Sequence, residues 1–219
     1  MDWKAWHTRY QTDTELQARL EQVKAYINEA LLALPAGKLN IVSICSGDGR
    51  DLIEVLPTHP RREDVVGWLL EYNESLVHDA QQAILHHGLG MSLFPCVADA
   101  TDAKQYAGIP LAHLVVLAGV FGSVEDGEIA RFLCNLQVLC APSAYVIWTQ
   151  NISTLEGQRR TETLQQALSR QEFSSISVVT TPQQRYHVGL HRYVGGHVSR
   201  QLDDRLFTFG LQRYAHTSA

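Results

Sequence analysis

The fold is decided by the stretch Ile41-Val-Ser-Ile-Cys-Ser-Gly-Asp-Gly-Arg-Asp-Leu-Ile53. Its apolar start, residues 41–44, is typical of a short buried strand. Two glycines within residues 46–49 predict a tight turn, and residues 50–56 have the pattern of a helix. A strand, a Gly-x-Gly turn and a helix together form a place where a small ligand can lie against bare backbone.

The rest of the chain continues this alternation of strand and helix. A first helix is predicted over residues 14–34, where apolar residues recur at helical spacing. Further strands are predicted over residues 39–44, 65–70, 92–97, 113–118 and 144–149, and further helices over residues 50–56, 75–87, 126–139 and 156–170. Alternation of this kind predicts a mostly parallel sheet with helices on both faces.

The end of the chain breaks the alternation. Two strands, predicted over residues 174–180 and 185–193, are separated only by Thr-Pro-Gln-Gln. Because so short a gap cannot hold a crossover, these strands should be antiparallel neighbours. The predicted fold class is therefore α/β, with a Rossmann-like, seven-stranded, mostly parallel sheet and an antiparallel last strand. Residues 205–214 alternate weakly and predict either an edge strand or an ordered tail.

Two acidic residues follow later strands. Glu71 ends the apolar run 65–70, and Asp99 comes directly after the run 94–98. Because ligands of open α/β sheets bind at the carboxyl ends of the strands, both carboxylates are candidate ligand-binding groups. The plain alternatives are a solvated strand-end charge for Glu71 and a helix cap or turn residue for Asp99.

The glycine turn, Glu71 and Asp99 together make the chain resemble the class I S-adenosylmethionine-dependent methyltransferases. In that family the acid is followed by a short loop and then by a helix with alanine nine positions on, and Glu71 and Ala80 match this spacing. The resemblance covers about residues 38–194. The whole chain also resembles a bacterial group of methyltransferase-like proteins with a Trp-His-x-x-Tyr start and a Ser-Gly-Asp-Gly-Arg-Asp turn, which indicates no substrate.

The resemblance implies S-adenosyl-L-methionine as cofactor and S-adenosyl-L-homocysteine as product. Glu71 would then accept hydrogen bonds from two ribose hydroxyls and Asp99 from the adenine amine, while the turn holds the methionine end. The implied cofactor-binding residues are Cys45, Ser46, Gly47, Asp48, Gly49, Glu71, Tyr72, Asp99, Ala100 and Gly119. Phe121 either packs on the sulfonium region or belongs to the core.

The turn departs from the family pattern at its start. Where the family often has an acid and a first glycine, this chain has Ser43 and Cys45. Ser43 offers no carboxylate to the cofactor's ammonium group. Either backbone carbonyls near Cys45 and Ser46 or the side chain of Asp48 or Asp51 must therefore replace it.

Two other functions compete with methyl transfer. A nicotinamide-dependent Rossmann oxidoreductase needs a third small residue after the turn, where this chain has Leu52, and Asp48 and Asp51 would repel a pyrophosphate. A catalytically inactive methyltransferase-like protein, which binds the cofactor or a partner without chemistry, is compatible with the same residues.

The sequence gives fewer indications of where the methyl acceptor would bind. Trp3, Trp6, His7 and Tyr10 form an aromatic cluster that either folds over the site as a lid or packs against the domain edge. His7 and Tyr10 are the candidates for a catalytic base. After strand 113–118 the chain has no Asn-Pro-Pro-Tyr-type tetrapeptide, which argues against the amino-methyltransferases that act on bases or glutamine.

Several histidines and cysteines are expected to be structural. His187 and His191 lie on one face of the last strand without an evident acidic neighbour, so no metal site is predicted. The four cysteines contain no C-x-x-C pair and are expected to be free thiols.

The composition of the chain limits which substrates and which cellular compartment we expect. The 219 residues are 45% hydrophobic with a net charge of −5 and no Lys/Arg cluster, which favours a small-molecule substrate over nucleic acid. No apolar run approaches the roughly 20 residues of a membrane helix, and the N-terminus has no apolar signal core. We expect a cytoplasmic monomer or homodimer with no membrane association. Its parts would be a lid over residues 1–37, a cofactor-binding domain over residues 38–194 and an extension over residues 195–219.

Overall fold

One seven-stranded sheet forms the centre of the computed structural model, which describes residues 8–210. The strands are β1 (Leu39–Ile44), β2 (Val65–Glu71), β3 (Leu93–Val97), β4 (Ala112–Leu117), β5 (Cys140–Asn151), β6 (Phe173–Thr180) and β7 (Tyr186–Tyr193). Their order across the sheet is β3-β2-β1-β4-β5-β7-β6. The first five strands, β1 to β5, are all parallel to one another, and β7 is antiparallel to both of its neighbours, β5 and β6. The predicted fold class, with its reversed last strand, is confirmed.

The helices flank this sheet, and three of them begin at a capping side chain. They are α1 (Thr14–Ala33), α2 (Arg50–Val55), α3 (Glu74–His86), α4 (Ile129–Leu139) and α5 (Leu155–Arg170). The side chain of Asp13 accepts two backbone N–H groups at the start of α1, and Asn73 does the same for α3. Thr154 caps α5. These side chains satisfy N–H groups that have no partner within the helix, which explains where the helices start.

Two predicted segments differ from the structure by more than one residue at an end. Residues 126–128 form a 3-10 turn rather than the first turn of α4, and Glu128 at the helix start makes no capping hydrogen bond with its side chain. β5 begins at Cys140, four residues earlier than predicted, because Cys140 pairs with Ala112 at the start of β4. A shift of register follows before Leu114 pairs with Tyr145, and this irregularity accommodates the residues that read as a break.

The segment after β7 crosses the structure as extended chain. It makes two isolated bridges, Asp102 with Arg205 and Val124 with Phe209, instead of a regular edge strand. Leu206 and Phe207 on this segment are fully buried. The ordered-tail alternative is therefore the correct one through residue 210, and residues 211–214 of the prediction lie outside the described part.

The core consists of two apolar layers, one on each face of the sheet. Val42, Ile44 and Val115 contribute to the layer under α4 and α5, whereas Ile41 and Leu114 contribute to the layer under α1, α2 and α3. Neighbouring strand residues point to opposite faces, so a strand buried on both faces has a continuous apolar run. All four cysteines are free thiols, as predicted. Within residues 8–210, every helix is too short or too polar to span a membrane.

Candidate functional site

The glycine turn joins β1 to α2 by a tightly bonded backbone. The Ser46 N–H donates to the Leu70 carbonyl over 3.0 Å, and the Gly49 N–H donates to the Ser46 carbonyl over 3.0 Å. Gly47 and Gly49 both have positive φ angles, of 59° and 67°. A side chain at Gly49 would also meet Leu69 Cδ2 at 2.4 Å. Gly49 is therefore required for packing on β2, whether or not a ligand binds.

Glu71 lies directly beside this turn. Its Oε2 accepts a hydrogen bond from the Gly47 N–H over 2.9 Å, and its Oε1 accepts one from the Asn73 N–H over 2.8 Å. Each carboxylate oxygen has two acceptor positions, so one on each oxygen remains for a ligand. The structure thus brings together the two features that the sequence separates by more than twenty positions. Tyr72, the next residue, is 77% exposed at the same edge.

Asp99 begins the loop after β3. Its Oδ1 accepts hydrogen bonds from the Thr101 N–H over 3.0 Å and from the Thr101 hydroxyl over 2.7 Å. Within residues 8–210, no donor reaches Oδ2 of Asp99 and no acceptor takes the N–H of Ala100. Asp99 therefore makes the turn that the plain alternative described, and it still offers one oxygen beside a free backbone donor.

The ends of β1, β2 and β3 lie close together around Cys45. Burial raises the pKa of the Cys45 thiol, and the nearby carboxylates of Glu71 and Asp99 raise it further. The Ala98 N–H also donates to the Glu71 carbonyl over 2.8 Å, which ties the loops after β2 and β3 together. The raised pKa keeps Cys45 protonated, so this residue contributes a neutral wall rather than a thiolate.

Gly119 follows β4 with a φ of 86° and donates its N–H to the Thr149 hydroxyl over 2.8 Å. The nearest side-chain atom to the position of a Cβ at Gly119 is Nη1 of Arg19, at 3.7 Å. Phe121 is 1% exposed and its ring lies 5.4 Å from that of Phe132. Phe121 therefore packs in the core, which is one of the two alternatives for this residue.

A small cavity of about 50 Å³ lies between α1, the glycine turn, α2 and the end of β4. Two charged residues among its lining are buried: Arg19 is 4% exposed and Asp51 is 6% exposed. Sequence reasoning missed Arg19. The available signal was its position on α1, because Leu16, Arg19 and Val23 recur at the spacing of one buried helix face.

The two aspartates of the turn have different surroundings. Asp48 binds the guanidinium of Arg50, with 2.9 Å between Arg50 Nε and Asp48 Oδ1. Burial raises the pKa of Asp51 from 3.8 to about 6; Asp48 acts in the same direction, while Arg19 opposes it. Asp51 is therefore the carboxylate of this pair that faces the cavity without an ion pair in the described residues.

Tyr10 forms one wall of the cavity, and its hydroxyl accepts a hydrogen bond from Arg19 Nη2. The Arg50 guanidinium lies 4.6 Å from the centre of the Tyr10 ring. Burial raises the pKa of Tyr10, which disfavours the phenolate that a general base would need. The other candidate base, His7, lies outside the described residues, together with Trp3 and Trp6.

His191 lies in the core of β7, away from this cavity. Its Nδ1 accepts the indole N–H of Trp148 over 3.1 Å, and burial lowers its pKa to about 4. His187, on the same strand, also has a pKa lowered by burial. The structural interpretation of His191 is therefore correct. Residues 8–210 contain no group of three His, Cys, Asp or Glu side chains that could hold a metal ion.

Solved structures share this fold at low sequence identity. An O-methyltransferase family protein from Burkholderia thailandensis has a TM-score of 0.60 and 15% identity, over 87% of this chain and 63% of that one. A protein from Bordetella parapertussis, described as a possible exported protein, has a TM-score of 0.63 and 11% identity, over 80% and 68%. The [4+2]-cyclase SpnF has a TM-score of 0.59 and 10% identity, over 80% and 82%. These likenesses show the fold alone, and the chain spans less than two thirds of the Burkholderia protein.

Sequence comparison identifies the family. No curated protein matches the chain. A family model described as "Putative methyltransferase" matches residues 6–166, a range that includes the glycine turn, Glu71, Asp99 and Gly119. Because this match covers well over half of the chain, and the sheet has the strand order and reversed last strand described above, the chain belongs to this methyltransferase family and has the class I methyltransferase fold.

Proposed function

We propose that the protein transfers the methyl group of S-adenosyl-L-methionine to a small-molecule acceptor. The observation that supports this most directly is the contact between the Gly47 N–H and the Glu71 carboxylate. It places an acid with two remaining acceptor positions against a backbone turn that can accommodate a ligand. A nucleoside ribose presents two neighbouring hydroxyl donors, which is the complement of such a carboxylate.

The remaining donors and acceptors at the strand ends also fit this cofactor. Oδ2 of Asp99 is available to accept from the adenine amine, and the N–H of Ala100 is available to donate to a ring nitrogen. Ser46 to Gly49 and Gly119 would border the methionine part. When bound, the cofactor supplies an electrophilic methyl group for direct displacement by the acceptor.

In this proposal the residues of the chain bind and orient the cofactor and the acceptor, and none of them reacts covalently. Glu71 and Asp99 hold the nucleoside, and the cavity wall at Tyr10 excludes water from the reacting end. Positioning of this kind accounts for a large part of the rate enhancement when two reactants are brought together. The net charge of −5 is the reason for proposing a small acceptor instead of a nucleic acid.

Transfer of a labelled methyl group tests the proposal. Purified protein is incubated with methyl-tritiated S-adenosylmethionine and the small-molecule fraction of a bacterial extract, with protein and nucleic-acid fractions in parallel. We expect label in a small-molecule product, and less of it with Glu71→Gln. Label in nucleic acid or protein would overturn the acceptor class. No transfer in any fraction, despite measurable cofactor binding, would overturn catalysis in favour of a binding role.

A further inference from the structure

The chain returns to the strand ends after β7, and its last described residues contact two loops at once. We call residues 203–210 the C-terminal segment. Its backbone makes one bridge with Asp102, in the loop after β3, and another with Val124, in the loop after β4. In the sheet, β3 and β4 are separated by β2 and β1. The C-terminal segment is therefore a backbone connection between two loops that the sheet itself keeps apart.

On the side of β3, the C-terminal segment holds the turn that Asp99 makes. The Leu206 N–H donates to the Thr101 carbonyl over 2.8 Å, and Arg205 Nη1 donates to the Thr101 hydroxyl over 3.0 Å. That hydroxyl in turn donates to Asp99 Oδ1 over 2.7 Å. Thr101 is 3% exposed, so water competes little for these hydrogen bonds. A ligand that fixes Asp99 therefore also stabilises the contact between the segment and this loop.

On the side of β4, the C-terminal segment holds the far part of a loop that begins beside the cavity. Ala118, at the start of this loop, lines the cavity next to the glycine turn. Further along, the Gly210 N–H donates to the Ser123 carbonyl over 2.9 Å, and the Glu125 N–H donates to the Thr208 carbonyl over 3.4 Å. A change in how the segment docks would therefore alter a loop that borders the site at its other end.

Apolar burial and one asparagine hold the centre of the C-terminal segment between the two loops. Leu206 and Phe207 are fully buried, and the centre of the Phe207 ring lies 4.4 Å from that of Phe132 on α4. Asn135, also on α4, donates from Nδ2 to the Leu206 carbonyl over 3.1 Å and accepts the Asp203 N–H at Oδ1 over 3.2 Å. Because the contacts at both ends share this buried centre, the segment docks or detaches as one unit.

We propose that the C-terminal segment couples nucleoside binding at Asp99 to the loop after β4, and that the coupling passes through Thr101. The coupling rests on the proposed function, because it takes the nucleoside of the cofactor as the ligand of Asp99. A bound nucleoside favours the docked segment by holding Asp99 and Thr101, and the docked segment holds residues 123–125. By linkage, a fixed loop after β4 raises the affinity for the nucleoside in return. Cofactor binding then orders one wall of the site before the acceptor arrives.

Hydrogen exchange of single backbone amides tests this coupling on the unaltered protein. NMR follows the amides of Leu206, Gly210 and Glu125 with and without saturating adenosine, which lacks the amino-acid part of the cofactor. Coupling between two sites typically amounts to roughly fivefold or more, so we expect exchange at Glu125 and Gly210 to slow at least about fivefold. Val194 is the control amide, because it donates to the Glu172 carbonyl over 2.8 Å outside the helices and strands. Its exchange should slow less, since only the overall stabilisation by the ligand reaches it.

Two variants of Thr101 then test the path of the coupling. Thr101→Val keeps the shape of the side chain and removes the hydroxyl that joins Arg205 to Asp99. Thr101→Ser keeps a hydroxyl and is the matched control. We expect the slowing of exchange at Glu125 by adenosine to be retained in Thr101→Ser. In Thr101→Val it should be about fivefold smaller, which is the usual effect of losing one hydrogen bond.

The outcomes separate the coupling from the proposed function. If adenosine slows exchange at Leu206 but slows Glu125 no more than Val194, the coupling is overturned while the nucleoside site remains. Slowing by S-adenosylhomocysteine and not by adenosine also overturns it, because that effect requires no transmission from the nucleoside. Equal slowing in Thr101→Val and Thr101→Ser overturns the path through the Thr101 hydroxyl. If neither adenosine nor S-adenosylhomocysteine binds, the proposed function itself is overturned and the coupling falls with it.

Discussion

The backbone N–H of Gly47 donates a hydrogen bond to Glu71 Oε2 over 2.9 Å, and this contact joins the turn after β1 to the end of β2. The same carboxylate accepts from Asn73, which precedes α3. One side chain thus holds the loops after two neighbouring strands and keeps two acceptor positions open.

Replacing Glu71 should therefore impair cofactor binding strongly. Glu71→Ala removes two charge-assisted hydrogen bonds to a ribose and releases the Gly47 turn, and we expect a loss of roughly 2–4 kcal/mol in the free energy of binding. Glu71→Gln keeps the size of the side chain and should retain part of the affinity. Calorimetric titration measures both, with Glu74→Gln at an exposed site as control. Unchanged affinity in folded Glu71→Ala would show that the ribose assignment is wrong.

The C-terminal segment should influence recognition of the adenine. Arg205 Nη1 donates to the Thr101 hydroxyl over 3.0 Å, and that hydroxyl donates to Asp99 Oδ1. Arg205→Gln removes the hydrogen bond that holds the Thr101 hydroxyl in place beside Asp99. Because a single hydrogen bond is lost, we expect the affinity for S-adenosylhomocysteine to fall about fivefold.

S-Inosylhomocysteine, whose base has no amine, provides the discriminating readout for this second prediction. Its affinity should change less in Arg205→Gln, because Asp99 has no amine to accept from. Arg200→Gln is the control, since Arg200 contacts Asn135 and Asp203 instead of Thr101. Equal losses for the two ligands would indicate that Arg205 only stabilises the fold.

The stability of the ligand-free protein should show two opposing pH dependences. Burial raises the pKa of Asp51 from 3.8 to about 6, so between these values the folded state holds a proton that the unfolded state has lost, and stability decreases as the pH rises. Burial lowers the pKa of His191 from 6.5 to about 4, so the unfolded state holds the extra proton and stability increases as the pH rises. Each shift corresponds to about 3 kcal/mol, and the two nearly cancel.

Single variants should separate these two opposing pH dependences of the free energy of unfolding. In Asp51→Asn the contribution that decreases with pH is removed, so the free energy of unfolding should rise from pH 4 to pH 6.5, relative to the unaltered protein. In His191→Gln it should fall over the same range, again relative to the unaltered protein. Urea unfolding at several pH values measures both. Parallel pH profiles for the two variants would contradict the burial of these groups.

The glycine turn should be sensitive to a single methyl group. In Gly49→Ala the new Cβ meets Leu69 Cδ2 at 2.4 Å, and the residue must also hold a φ of 67°. We expect a loss of stability of about 1–3 kcal/mol or more from overpacking, in addition to the backbone strain. Gly108→Ala is the matched control, because Gly108 has a φ of 83° and nothing within 4 Å of its Cβ position. Equal losses in the two variants would show that the contact with Leu69 has no effect.

The sequence predicted the parts of the molecule that depend on periodicity and on strand ends. The run before Glu71 and the turn at Gly47 could be read directly, because a buried parallel strand is a continuous apolar run followed by a break. Arg19 was missed although it shares the spacing of Leu16 and Val23, since a charge within an amphipathic helix usually faces water. Arg205 lies in an irregular segment, which has no period to reveal its contact with Thr101.

Calorimetric titration of the purified protein with S-adenosylmethionine and S-adenosylhomocysteine, with NAD(H) as the comparison ligand, tests the proposed cofactor most directly. We expect saturable binding of the two adenosyl ligands at a single site and no binding of NAD(H). Binding of NAD(H) alone would contradict the assignment of the glycine turn. Binding of none of the three would contradict the proposed cofactor and leave the fold with a structural or partner-binding role.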